Sequence, residues 1–320
     1  MLADIHWTGK VKSVAFSVFG QPIAWYGIII TAAMLIGLFL GIKRAKKVGL
    51  SSDDMLELFM IAIPLAVIAA RLGYVFAHID VFFKVENFGW DNFVDIINLR
   101  DGGLTIMTGV PGGILGGFIW SKWRKVDFIY LADAVAPVIL VSQALGRWGN
   151  FFNQEIYGMA VTNPSWQFFP YAVYITREGG FHQAAFFYEM VLNLVFFAAI
   201  VIVLRRLKVK GAGITMYVMG YTFVRFLMGF VRNDKGYMYD TVNTNQIFTI
   251  IVAVLAAAVL ALLIIREQKK GAKVWYSGGI PQKLYPIAKA AKTYEKSDEP
   301  LPPKKPKTNK KGVPFNKSKK

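Results

Sequence analysis

Residues 126–158 read VDFIYLADAVAPVILVSQALGRWGNFFNQEIYG. The first part, 126–146, is apolar and long enough to cross a bilayer, for which about 20 residues suffice. The second part breaks that pattern. Arg147, Asn150, Asn153, Gln154 and Glu155 arrive together, with Gly146, Gly149 and Gly158 and several aromatics among them. Polar side chains at such a depth are costly, and they occur buried against partners or where chemistry is done.

Working outward, the rest of the chain is of the same kind. Of its 320 residues, 55% are hydrophobic, including 25 Phe, above the roughly 45–50% of an ordinary soluble domain. Nearly uncharged stretches fall at 21–42, 58–77, 104–121, 126–146, 183–204, 211–231 and 244–265. They predict an all-α polytopic membrane protein with seven transmembrane helices, the first retained as a span rather than cleaved as a leader. There is no cysteine, which excludes disulfides, thiolate metal sites and a covalent thiol intermediate on the protein itself. With only His6, His78 and His182, a histidine-rich metal site is not expected either, nor is a cofactor.

Charge sets the expected orientation. Lys43, Arg44, Lys46 and Lys47 follow the first span, Lys122, Arg124 and Lys125 the third, and Arg205, Arg206, Lys208 and Lys210 the fifth. By the positive-inside rule these loops are cytoplasmic, the N-terminus lies outside and the C-terminus inside. The domain reading is a seven-span unit over 1–265 and a basic tail over 266–320. That tail holds 16 Lys and Arg against 4 Asp and Glu, so +12 of the formal +17 sits there. It has no apolar periodicity, and it reads as a disordered segment resting on anionic lipid, with no nucleic-acid partner expected.

This topology gathers scattered polar residues into the outer half of the membrane. Arg71 lies near the end of the second span, Arg147 ends the fourth, and Tyr221, Arg225, Gly229 and Arg232 share one face of the sixth. Trp25 and Tyr26, Tyr188, Glu189 and Asn193, and Asn245 and Gln246 stand near the outer ends of spans one, five and seven. Each has a plainer reading. Arg71 can snorkel or be paired structurally, Glu189 with Asn193 can tie two helices, Arg232 can anchor at the interface, and Trp25 with Tyr26 can belong to an aromatic belt. Together, however, the arginines outnumber Glu155 and Glu189 in a place of low dielectric, which calls for an anion, and the anion native to that site is a lipid phosphate. In DGGLTIMTGVPGGILGG, 101–117, spaced glycines suit close helix packing, while Pro111 leaves open a broken or re-entrant helix.

The stretch GRWGNFFNQEIYG resembles the signature of the prolipoprotein diacylglyceryl transferase family, Gly-Arg-x-Gly-Asn-Phe-x-Asn-x-Glu-x-x-Gly. Gly146, Arg147, Gly149, Asn150, Phe151, Asn153, Glu155 and Gly158 all match. The likeness extends over about 1–265, through WYG at 25–27, ARLGYV at 70–75, the glycine-rich third span, FFYE at 186–189, YTFVRF at 221–226 and NQ at 245–246. It implies a bacterial plasma-membrane enzyme with its site toward the outer leaflet. Such an enzyme moves the diacylglyceryl group of phosphatidylglycerol to the lipobox cysteine of a prolipoprotein and releases glycerol phosphate, the first step of lipoprotein maturation.

On that reading Arg147 and Arg225 clamp the phosphate and Glu155 orients Arg147. Asn150 and Asn153 hold the glycerol hydroxyls or the loop, Tyr26 and Tyr221 line the head-group site, and Gly158, Arg71 and Glu189 complete the substrate site. Three positions depart from the family pattern. Met107 or Pro111 stands where a His or Tyr is usual, HQAAFFYE places His182 and Gln183 with no proline, and Gly229 replaces the acid four residues after Arg225. The general base is therefore unassigned. His182 is either a surface-loop histidine or a substitute, and the positive field could by itself lower a thiol pKa of about 8.5. Rival classes are an anion or lipid transporter, which needs polar groups through the inner half, an assembly protein, and a catalytically altered paralogue.

Overall fold

In hydrocarbon every backbone N–H and C=O must be satisfied within the segment, so apolar runs of this length have little choice but to be helices. The computed structural model describes residues 11, 13–83, 89–98, 102–232, 238–239 and 242–277. Each predicted span is a helix there: α1 Trp25–Lys47, α2 Ser52–Ala77, then, after the short α3 Ile79–Phe82 and α4 Trp90–Ile97, α5 Ile106–Trp123, α6 Phe128–Phe152, α7 Ala185–Leu204, α8 Ala212–Met228 and α9 Thr244–Lys269. Five of them, α1, α2, α6, α7 and α9, are long and apolar enough to cross a membrane. The outward faces agree, with Met60, Ile68, Val195, Val254 and Leu262 all exposed, a belt that water would not tolerate.

The all-α expectation needs one correction. Three two-stranded antiparallel hairpins occur: β1 Val14–Val18 with β2 Gln21–Ala24, β3 Ala172–Ile175 with β4 Gly180–Gln183, and β5 Met238–Tyr239 with β6 Val242–Asn243. The first leads into α1 and the other two lie in the α6–α7 and α8–α9 connections, all at the end of the bundle that carries 146–158, the signature end. Single sequences hide such short strands because four residues of alternation are indistinguishable from loop.

At the opposite, basic end, charges close the helix termini. Ser51 and Asp54 form a reciprocal capping box at the start of α2. Arg124 pairs with Asp54 at 2.9 Å and with Glu57 at 3.4 Å. Lys210 meets Asp127 at 2.6 Å, a bond that holds the lysine pKa above its ordinary value. Asp133 of α6 accepts the N–H groups of Gly211 at 2.7 Å and Ile214 at 2.9 Å, so it caps α8 from a neighbouring helix. The helices carrying Arg147 and Arg225 are thereby pinned to each other at their far ends.

Small residues set the helix spacing. A Cβ on Gly112 would stand 2.6 Å from Leu65 O, and one on Gly116 2.6 Å from Ala62 Cα, so α5 lies directly on α2. The helix runs unbroken through Pro111, and packing, not a re-entrant turn, accounts for these glycines. Elsewhere α1 packs on α6, α6 on α7 and α8, and α8 on α9.

Described structure continues past the expected tail boundary at 265/266. Helix α9 continues to Lys269, and Lys208 N donates to Val274 O at 2.8 Å while Tyr276 N donates to Arg206 O at 2.9 Å. Val274 is buried with Leu207, Val209 and Ala212. The remainder of the expected tail, 278–320, lies outside the described residues, as does His6.

Candidate functional site

Helix α6 does not end where the apolar run ends. It carries Gly146 to Phe152 as its last turns, which puts Arg147 against α7 rather than in a loop. Arg147 Nη2 lies 2.5 Å from Glu189 Oε1, and Arg232 Nη1, just past α8, lies 3.8 Å from Glu189 Oε2. Glu189 is 1% exposed. A carboxylate so buried is sustained by its two guanidinium neighbours. The other side of Arg147 continues the chain of contacts: its Nη1 donates to Asn150 Oδ1 at 3.3 Å, and Asn150 Nδ2 and Asn153 Nδ2 donate to Glu155 Oε1 at 2.9 and 3.4 Å. Glu155 thus reaches Arg147 only through Asn150, and the residue that orients the arginine directly is Glu189. The sequence reading named Glu155 alone for that role.

The backbone around Glu155 is strained. Gln154 and Ile156 have φ of 51° and 56°, a region costly for a β-branched residue and tolerated where surroundings over-determine it. Here they do. Glu155 N donates to Asn150 O at 2.9 Å, Gln154 Nε2 donates to Tyr174 O at 3.2 Å, and Thr176 N donates to Gln154 Oε1 at 2.9 Å. Gly158 closes the turn by backbone contact, since its N donates to Gln183 O at 2.9 Å and a Cβ there would lie 2.6 Å from Gln183 Cβ. Its contacts among the described residues include Gln183 and the Val231 carbonyl. His182 is equally engaged: it is buried in β4, and its Nδ1 donates to Gly158 O at 3.0 Å. The surface-loop reading of His182 does not hold.

Tyr26 packs its ring on Gly149, where a Cβ would come within 2.7 Å, and neighbouring Trp25 stacks on Phe152 at 5.1 Å. The aromatic pair therefore closes one wall, with Tyr26 in the field of Glu155 and Arg147. On the far wall, Tyr221 stacks on Tyr217 at 6.1 Å. Tyr217 Oη accepts from Gln143 Nε2 at 3.1 Å. Arg225 is half-buried in the field of Arg147, Arg232 and Glu189, and among the described residues it makes no hydrogen bond or ion pair. The reason is local. Four residues on is Gly229, against which the side chain of Gln246 is packed, its Nε2 donating to Phe226 O at 3.3 Å. Where an acid could have neutralised Arg225 there is an amide bound elsewhere.

Arg71 takes the structural pairing that was one of its two readings, and Arg232 departs from its plainer one. Arg71 is buried and spent: Nε donates to Ile96 O at 2.8 Å, Nη1 to Gly102 O and Gly103 O at 2.7 and 3.0 Å, and Nη2 to Asp95 O at 2.6 Å. It ties the carbonyls of Asp95, Ile96, Gly102 and Gly103 to α2 and is not brought to the Arg147 cluster. Arg232, read as an interfacial anchor, is instead a member of that cluster, with its side chain 9% exposed. Met107 is 84% exposed at the start of α5, and Pro111 lies within that helix.

One residue of this site went unread in the sequence. Gln143 sits one turn before Arg147, as Asn193 sits one turn after Glu189 on the antiparallel helix. Gln143 Oε1, both amide atoms of Asn193 and Arg147 Nε are buried with no hydrogen-bond partner. The i−4 spacing from Arg147 was the available signal. Among the described residues no group of His, Asp and Glu suits a metal ion. What the arrangement can hold is an anion: three guanidiniums face two carboxylates, and one guanidinium is unengaged.

Comparison with known proteins fits this geometry. A family model described as prolipoprotein diacylglyceryl transferase matches residues 13–262. A Clostridium perfringens protein named phosphatidylglycerol–prolipoprotein diacylglyceryl transferase 1 is 35% identical over 266 residues, covering 81% of this chain and 97% of its own. Proteins of the same name without the numeral, from Oceanobacillus iheyensis and Clostridium botulinum strain Langeland, are 32% and 33% identical, covering 79% and 81% of this chain and 88% and 100% of theirs.

Proposed function

The chain belongs to the prolipoprotein diacylglyceryl transferase family, and from that premise we propose that it transfers the diacylglyceryl group of phosphatidylglycerol to the lipobox cysteine thiol of prolipoproteins. The observation that carries the reading at the level of residues is Arg225, a half-buried guanidinium without a partner, facing the Arg147–Glu189–Arg232 cluster. A phosphodiester between Arg147 and Arg225 brings one negative charge, the counter-charge that Arg225 lacks while Arg147 is paired with Glu189. As the thiol attacks the glycerol carbon, negative charge grows on the departing phosphate oxygen, and guanidiniums already aimed at it stabilise that charge without reorganising. Glu189 holds Arg147 and Arg232 in place, Asn150 and Asn153 fix the rim, and Tyr26 and Tyr221 flank the head group.

The topology proposed is seven spans, with α5 and α8 completing the five, the N-terminus outside and the C-terminus cytoplasmic. In support, α5 lies along α2 from Gly109 to Gly116, and α8 meets α9 at both ends, Gly229 near Gln246 and Gly211 near Leu263. Basic loops at one end support a site toward the outer leaflet of the bacterial plasma membrane. The transferase unit on this reading ends near the Val274 contact, not at 265. A transporter would need a polar path past the basic end, but Asp54, Asp127, Asp133, Arg44 and Arg124 there are engaged in caps and ties.

The test is direct: purified protein, radiolabelled phosphatidylglycerol and a lipobox peptide should give peptide carrying the label on cysteine, with one glycerol phosphate released per transfer. Absence of labelled peptide under conditions where a known family member is active refutes the reading.

A further inference from the structure

A thiol attacking carbon must lose its proton, and among the described residues neither His78 nor His182 is hydrogen-bonded to the Arg147–Glu155–Glu189 cluster. His182 is buried with Nδ1 committed to Gly158 O, and His78, beyond the end of α2, has Nδ1 at 3.0 Å from Tyr74 O and its ring against Tyr74. Glu189 is sealed between Arg147 and Arg232. Glu155 differs from all of these. It is exposed at the rim of the cluster, and both of its hydrogen bonds, from Asn150 and Asn153, fall on Oε1. Oε2 has no hydrogen-bond partner among the described residues. The left-handed residues on either side fix the direction of the side chain, and the two amides prevent its rotation.

We propose that Glu155 Oε2 is the proton acceptor for the substrate thiol, an inference that rests on the transferase reading above. The S–H proton passes to Oε2, the sulfur pair forms the S–C bond to the glycerol carbon, and the C–O bond to phosphate breaks with its pair leaving on the phosphate oxygen. Glu155 then returns its proton to the leaving phosphate or to water at the open rim. The charged and titratable groups around it are Tyr26 on α1, Arg147 on α6, Glu189 on α7, and Arg225 and Arg232 on and after α8. The arginines attract a thiolate-like sulfur, and the Arg147–Asn150–Glu155 contacts couple phosphate binding to proton removal.

The experiment compares the rate of lipidation by wild type, Glu155→Gln and Glu155→Asp from pH 6 to 9.5, with phosphatidylglycerol vesicles and a lipobox peptide. Glutamine keeps the shape and the Oε1 acceptor but cannot take a proton, so this variant reacts only through peptide already ionised. Its rate relative to wild type should be lowest at pH 6 and recover about tenfold per unit toward the thiol pKa of roughly 8.5. Aspartate should keep the wild-type profile at reduced rate. A Gln defect independent of pH, or an Asp variant with the profile of Gln, overturns the proposal and leaves Glu155 as a brace for Asn150. A wild-type protein that lipidates nothing removes the function reading first, and this one with it.

Discussion

Replacing Arg147 by lysine isolates geometry from charge. The guanidinium spans two partners at once, Glu189 through Nη2 at 2.5 Å and Asn150 through Nη1 at 3.3 Å, and keeps a buried Nε with none. A lysine ammonium is one point on a flexible stem, and if it stays with Glu189 it abandons Asn150. Hydrogen bonds to a charged group contribute about 1.5–3 kcal/mol, which at about 1.4 kcal/mol per decade is roughly 10- to 150-fold. Losing the two-pronged grip on the phosphate in the transition state falls on the same scale, about 10² to 10³ for one preorganised donor. The expected loss for Arg147→Lys is therefore on the order of 10² in rate. Arg147→Ala is the poorer probe, because it strips the nearer cation from a fully buried carboxylate, and breaking such a pair costs about 3–5 kcal/mol of stability. The assay is the initial rate of peptide lipidation at equal folded protein, with folding checked by size-exclusion profile and thermal melt. A folded Arg147→Lys enzyme within threefold of wild type refutes the clamp and makes Arg147 a source of diffuse field only.

The cysteine-free chain permits a clean topology test: a single cysteine at Phe19, the fully exposed tip of the first hairpin, should react with an impermeant maleimide on intact cells, and one at Lys270 only after lysis. The reverse pattern overturns the orientation. Removing the chain from Ser277 onward should leave the thermal midpoint unchanged, whereas Val274→Asp, which puts a charge among Leu207, Val209 and Ala212, should lower it by several degrees. Equal midpoints would mean the Val274 contact contributes nothing. Asn193→Leu removes two unpartnered buried polar atoms, so the variant should melt no lower than wild type while losing at least tenfold in lipidation. A variant both less stable and fully active would show Asn193 to be a packing residue alone. Arg232→Lys should cost about tenfold, since its side chain is inside the cluster, and an unaffected rate would return it to the role of surface anchor.

The helices and their order were legible along the chain because hydrophobicity is a property of a stretch of sequence, and in a bilayer an apolar stretch can only be a helix or part of a barrel. The signature 146–158 was legible for another reason: its residues are contiguous, so their types and spacing survive without knowledge of the fold. Partnership was not legible. Arg71 and Arg225 looked alike, each an arginine near the end of an apolar run, yet the carbonyls of Asp95, Ile96, Gly102 and Gly103 close over the first. The second is left open because Gly229 faces Gln246 from another helix. The same holds for Arg232, drawn to Glu189, for His182, held by Gly158, and for Val274, docked on Leu207 some 67 positions earlier in the numbering. A guanidinium's energy depends on what lies within about 4 Å of it, and here those neighbours come from other elements of the chain. The sequence by itself determined a membrane bundle with arginines near the ends of its spans; only the tertiary structure decided which arginine is spent on the protein's own carbonyls and which makes no hydrogen bond or ion pair among the described residues, because those neighbours are distant in sequence.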